Sequence, residues 1–218
     1  MPTSREALAQ RTEQKDRLFE AALQHVPFDG WSRRTLAHAA RDVGIDPATA
    51  RRLFPNGGDG LLAWLSPWLD RQTEARLAAI DFSGMKIRRR IATIVRTRLE
   101  ILGPHREALR RAIAAGIMPG NLAASGRRLW AVVDRMWAQA GDPKGDAGMS
   151  RYTRRALLAG VYLSTLLFWL DDKSEDSRDS WAFLDRRIED VMRIGQLRGR
   201  VESLVQGLPF RRPGRAAG

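Results

Sequence analysis

Residues 32–55, SRRTLAHAARDVGIDPATARRLFP, decide how this chain is to be read. Ser32 is a good N-cap for a helix over Arg33 to Val43, because its hydroxyl can accept a bond from a free backbone N–H of the first turn. Gly44 suits the C-terminal stop of that helix. Asp46 then caps a second short helix with Pro47 at its first position, where a missing N–H costs nothing, and Pro55 ends it. Two short helices joined by Gly44-Ile45 make a helix-turn-helix shape.

On the N-terminal side, Leu18, Phe19, Ala22, Leu23 and Val26 recur at helical spacing from Thr12 to His25, and Pro27 is expected to stop that helix. Residues 13–55 therefore form a three-helix unit behind a flexible segment, 1–12. On the C-terminal side, Leu61, Leu62, Leu65, Trp68 and Leu69 begin a fourth helix that reaches toward Ile80, with Pro67 placed to kink it. Residues 86–102, KIRRRIATIVRTRLEIL, put Ile87, Ile91, Ile94, Val95 and Leu102 on one stripe and most of the arginines elsewhere. A core-facing stripe with a solvated back outweighs a membrane-surface reading of that helix.

Pro104 opens a further helix to Gly116, and Leu122 to Ala140 forms another. The run ALLAGVYLSTLLFWL, 156–170, is apolar nearly all round yet shorter than the roughly 20 residues a membrane-spanning helix needs, so it reads as a buried central helix. A last helix runs from Ser180 to Ile194. Beyond it Leu197, Val201, Leu204, Val205 and Leu208 define one apolar face of an amphipathic segment whose other face carries Arg198 and Arg200. The expected organisation is all-α, with a helical bundle at 56–195, an amphipathic helix at 196–208 and a basic flexible tail at 209–218.

The chain has 218 residues, enough for one substantial core. Cysteine is absent, which removes disulfides, thiolate metal sites and cysteine nucleophiles together. The N-terminus is charged where an export signal would be apolar, so a cytoplasmic protein is expected. A formal charge of +12 implies an anionic partner, nucleic-acid phosphate or acidic lipid head group, and composition does not choose between them. Arginine as an ordinary surface cation is the blander account.

No catalytic constellation stands out. His25, His38 and His105 lie in different expected elements without a paired metal-ligand spacing, so neither a metal site nor a cofactor is expected. Ser164 sits inside an apolar helix and no nucleophile elbow accompanies it. The loop Asn56 to Gly60 lacks the lysine of a phosphate-binding loop. Asp171 and Asp172 read as helix-terminal carboxylates rather than an acid pair. Of seven tryptophans, most fill apolar faces, which in helical bundles also wall lipid cavities. Trp181 begins a helix and is placed to anchor a partner.

A helix-turn-helix unit followed by a larger bundle resembles the TetR architecture. The segments RLFEAALQHVPFDGWS (17–32), ALLAGVYLSTLLFWLDDKSEDSRDSWAFLDRRIEDVMRIG (156–195) and ESLVQG (202–207) narrow this. They resemble the Coq-nine family of ubiquinone biosynthesis, over roughly residues 15–208. The resemblance implies a TetR-like homodimer that no longer acts as a regulator, is not an enzyme, binds an isoprenoid quinone or phospholipid and supports the demethoxyubiquinone hydroxylase. It implies an internal lipid site among Leu129, Val133, Trp137, Leu158, Val161, Tyr162, Leu166 and Trp169. It implies a membrane face of Leu197, Arg198, Arg200, Val201, Leu204, Val205 and Leu208 on the cytosolic side of the inner membrane. Hydroxylase docking would fall to Asp172, Trp181, Leu184 and Arg187.

Where DNA-binding TetR proteins often carry Thr-Leu-Tyr-Arg-His-Phe-Pro, this chain has Thr49-Ala50-Arg51-Arg52-Leu53-Phe54-Pro55, without the phosphate-contacting aromatic. No nucleic-acid partner is therefore expected. The alternative is a regulator with an apolar ligand pocket, since Arg51 and Arg52 keep phosphate contact chemically open.

Overall fold

A computed structural model describes residues 3–118, 120–141 and 151–206, and of 151 and 194–206 the backbone alone. The described residues form nine α-helices: α1 (Ser4–Asp29), α2 (Arg33–Asp42), α3 (Pro47–Leu53), α4 (Gly58–Leu77), α5 (Ile87–Ile101), α6 (Arg106–Gly116), α7 (Leu122–Ala140), α8 (Arg151–Asp171) and α9 (Arg178–Gln206). The caps read from sequence are in place. Ser32 accepts the Thr35 N–H at the head of α2, and Asp46 accepts those of Ala48 and Thr49 at the head of α3.

Both ends of α1 depart from expectation. The helix begins at Ser4, inside the segment expected to be flexible, because Thr3 and Glu6 form a reciprocal capping box. It also passes through Pro27 and ends at Gly30, whose positive φ of 65° closes the last turn onto the Val26 carbonyl. Pro27 sits so near the C-terminus that the ladder has one turn left to lose. The Asn56 to Gly60 segment is shorter as a turn than expected, since α4 starts at Gly58. A Cβ at Gly58 would lie 2.1 Å from the Trp31 carbonyl oxygen, so α4 packs directly on backbone there.

α1 packs on α2, α3, α4 and α6, while α5 packs on α4, α7, α8 and α9. The two groups share α4, which α1 holds through its acidic side chains. Trp64 Nε1 donates to Asp16 at 2.8 Å, Trp68 Nε1 donates to Glu20 at 2.9 Å, and Arg71 pairs with Asp16. The bundle is thus centred on α5 rather than on α8. The run expected to form a buried central helix has one face in the core, through Leu158, Val161, Tyr162, Leu166 and Trp169, and one face in solvent, with Leu163, Leu167 and Phe168 at 40%, 55% and 40% exposure. Its neighbours α5, α7 and α9 cover one side of the cylinder.

One arginine of α5 departs from the expected solvated back. Arg98 is buried at 1% exposure and donates to Asp70 of α4 at 2.6 Å, while Arg135 of α7 approaches the other Asp70 oxygen at 3.2 Å. α9 is longer than the helix expected at 180–194. It runs unbroken to Gln206, so the amphipathic segment begins as the distal part of the same helix.

Candidate functional site

The apolar stripe of α5 and the inner faces of α7, α8 and α9 leave a small groove. Ile87 and Ile91 of α5, Trp137 of α7, Leu158 and Val161 of α8, and Ile188, Val191 and Met192 of α9 line it, with Arg88 and Arg154 as its charged members. Its volume is about 60 Å³, well below the roughly 300 Å³ at which ligand pockets usually begin. The indole N–H of Trp137, one of these lining residues, is buried and has no hydrogen-bond partner among the described residues. Such an atom is costly to leave unpaired and suits an oxygen acceptor.

Of the eight residues expected to bind lipid, Trp137, Leu158 and Val161 meet at this groove. Val133, Tyr162, Leu166 and Trp169 are buried in the core, and Leu129 is half-buried against it. Trp169 is covered by the Arg106 guanidinium, 4.2 Å from the ring centroid. Ile188, Val191 and Met192 were not among the expected lining residues. Their i, i+3, i+4 spacing on the last helix is the signal that could have placed them.

A second locus forms where α8 turns into α9. Asp172 accepts the backbone N–H and hydroxyl of both Ser174 and Ser180. Burial pushes its carboxyl up, yet these four hydrogen bonds together hold it down to about 2. Arg106 of α6 ties the same turn, donating to the Asp172 carbonyl at 2.7 Å and to the Ser177 hydroxyl at 2.8 Å. Asp176 and Ser177 take left-handed φ values of 51° and 55°, uncommon for residues with a Cβ. Trp181 secures them by donating its indole N–H to the Asp176 carbonyl at 2.7 Å.

Trp181 is half-buried, with the Arg96 guanidinium 4.9 Å above its ring. The two residues border a polar groove of about 400 Å³ between α5 and α9, with Arg89, Asp185 and Glu189 on its walls. Of the other residues expected to face a partner, Arg187 is exposed and paired with Asp190 at 2.9 Å. Leu184 is 2% exposed and belongs to the core, so a surface contact on this helix passes it by. In the expected membrane set, Leu197, Arg198, Arg200, Val201, Leu204 and Val205 fall on the distal half of α9, where the backbone alone is described, and Leu208 lies outside the described residues.

The family model COQ9 matches residues 122–195, which carry α7, α8 and the proximal half of α9. The ubiquinone biosynthesis protein COQ9-B of Xenopus laevis is 34% identical over 205 residues, spanning 89% of this chain and 69% of that protein. This chain belongs to the COQ9 family. The COQ9 proteins of Rattus norvegicus and Homo sapiens are 35% and 34% identical, and the chain spans 64% and 63% of their lengths. All three relatives carry mitochondrial names. Among solved structures, a TetR transcriptional regulator from Nitrosomonas europaea ATCC 19718 superposes with a TM-score of 0.65 at 19% identity, covering 81% of this chain and 97% of that one. The COQ9 family member therefore has a TetR-like fold. Among its described residues no helix is long and apolar enough to cross a membrane.

Proposed function

We propose that this COQ9-family protein is a non-catalytic lipid-binding accessory of ubiquinone biosynthesis, which takes up an isoprenoid quinone precursor at a membrane and presents it to the demethoxyubiquinone hydroxylase. The observation that carries this reading is the apolar groove walled by Ile91, Trp137, Leu158, Val161, Ile188 and Met192, at the point where α9 runs on into its amphipathic half. Shielding an isoprenoid chain contributes about 25 cal/mol per Å² of apolar surface buried, so even a partial seat stabilises it. Because the groove is small, uptake requires α9 to move away from α5 and α8. The Trp137 N–H then serves as a donor to an oxygen of the head group.

The division of labour follows the chain. Residues 13–55 act as a scaffold that keeps the helix-turn-helix shape, 56–195 as the binding bundle and 196–208 as the membrane element. Each arginine near an anionic surface contributes about 1 kcal/mol, which makes the attachment reversible. Trp181 and Arg187, with the turn set by Asp172, form the surface offered to the hydroxylase. The uncovered stripe of Leu163, Leu167 and Phe168 on α8 suits a two-fold contact with a second copy.

The experiment is native extraction of the purified protein followed by mass spectrometry of the apolar molecules that accompany it. A co-purifying isoprenoid quinone or phospholipid supports the proposal. A protein that carries no lipid and shifts a DNA duplex at physiological salt overturns it in favour of a regulator.

A further inference from the structure

We propose that His25, Asp29 and His38 form a site for a borderline-soft divalent metal ion such as zinc, bridging α1 and α2. His25 and Asp29 lie four residues apart on the last turns of α1 and so share a face, and α2 packs on α1 to bring His38 to them. One ligand atom from each of the three residues falls within 4.8 Å of the other two. The two imidazole rings lie edge to face with centroids 5.2 Å apart.

The geometry is close to that of a coordination shell. His38 Nδ1 is 3.1 Å from Asp29 Oδ2, near the about 3.3 Å edge of a tetrahedron with bonds of 2.0–2.1 Å. No pair of these atoms is more than 4.8 Å apart, so closing onto a tetrahedral edge takes an inward shift of at most about 1.5 Å, within reach of side-chain rotation. Asp42 of α2 already holds His25 Nε2 at 2.5 Å, the kind of carboxylate contact that orients a ligating imidazole.

Accessibility and competition fit as well. The His25, Asp29 and His38 side chains are 25%, 16% and 32% exposed, enough to admit an ion and to leave a position open to solvent. Arg34, which pairs with Asp29 at 3.7 Å, is 75% exposed and so can swing into water. Two imidazoles with a carboxylate select zinc, cobalt or nickel over calcium and magnesium, which prefer all-oxygen shells. A bound ion joins the first two helices and adds its binding free energy to their packing.

The test is titration of the tag-free full chain with Co²⁺, followed by displacement with Zn²⁺. Visible d–d bands of low-coordinate cobalt should develop with a single equivalent. Affinity should fall about tenfold or more in His25→Gln and in His38→Gln, while His105→Gln binds like the native chain. Failure of the bands to appear, or their survival in the His25→Gln/His38→Gln double variant, overturns the proposal. A second readout uses the native chain alone. Co²⁺ should broaden the imidazole proton signals of His25 and His38 and leave those of His105 sharp, and broadening at His105 instead overturns it.

Discussion

The Arg98 guanidinium lies 2.6 Å from the Asp70 carboxylate, with the two side chains only 1% and 7% exposed. Removing Arg98 leaves the buried Asp70 carboxylate with the more exposed Arg135, 3.2 Å from its other oxygen, as its remaining cation, a loss that costs more than the pair itself contributes. Arg98→Ala should therefore destabilise the protein by about 3 kcal/mol and lower Tm by roughly 6–12 °C, read by denaturant and thermal unfolding. A double change of Arg98 and Asp70 to leucine should be more stable than Arg98→Leu alone, because it also removes the buried carboxylate that the single change leaves behind, and a purely steric role for Arg98 would not give that difference.

Asp172 sets up a prediction in pH. Its folded value is about 2 against the usual 3.8. The stability it confers is therefore complete above 3.8 and is lost as pH falls through about 2. The native chain should be more stable than Asp172→Ala by about 1–2 kcal/mol at neutral pH, the usual worth of a helix-capping carboxylate. Acid titrations followed by circular dichroism should show the two converging as pH drops toward 2. A margin that stays constant down to pH 2 would assign the residue a different role.

Trp181 couples the left-handed turn to the surface of α9. Trp181→Phe should keep the Arg96 contact and lose the bond to the Asp176 carbonyl, while Trp181→Ala loses both. Under the proposed hydroxylase docking, Trp181→Ala should weaken that complex by about tenfold or more, measured by pull-down and calorimetry. Trp181→Phe should fall between. Equal binding by all three proteins would remove Trp181 from the docking surface.

Met192 is half-buried at the wall of the apolar groove. Met192→Trp adds bulk where about 60 Å³ is available. The lipid extracted with the purified variant should drop several-fold while its thermal unfolding stays close to native. Unchanged lipid content would move the binding seat elsewhere in the bundle.

The amphipathic half of α9 is tested on vesicles. Replacing Val201 and Leu204 with Asp should abolish flotation with anionic liposomes, because two charges on the apolar face cannot enter the interface. Flotation that persists would place the membrane contact on another face.

What the sequence reveals here follows the range of each interaction. Ser32 and Asp46 cap their helices through bonds to residues two or three positions away, so those boundaries are legible from a short window. The pairing of Asp70 with Arg98 joins α4 to α5, and nothing local marks Arg98 as buried among the other arginines of its helix. His25 and His38 are alike in this respect, brought together by packing across a loop. The uniform apolarity of 156–170 hides which side faces the core, since that is decided by α5, α7 and α9. Pro27 shows the opposite failure, a strong local stop that tolerates one more turn when Gly30 is free to close it.

The 29 residues of α9, at about 1.5 Å each, make a rod of roughly 43 Å. Its base is pinned at the Asp172 turn, its middle borders the groove, and its far end is the amphipathic segment. A single hydrogen-bonded ladder thus serves as a lever with its fulcrum at the Arg106 clasp. Under the proposed function, a displacement of the far end of α9 would be carried along the rod to Met192 and Trp181, so that attachment, opening and docking would share one mechanical degree of freedom.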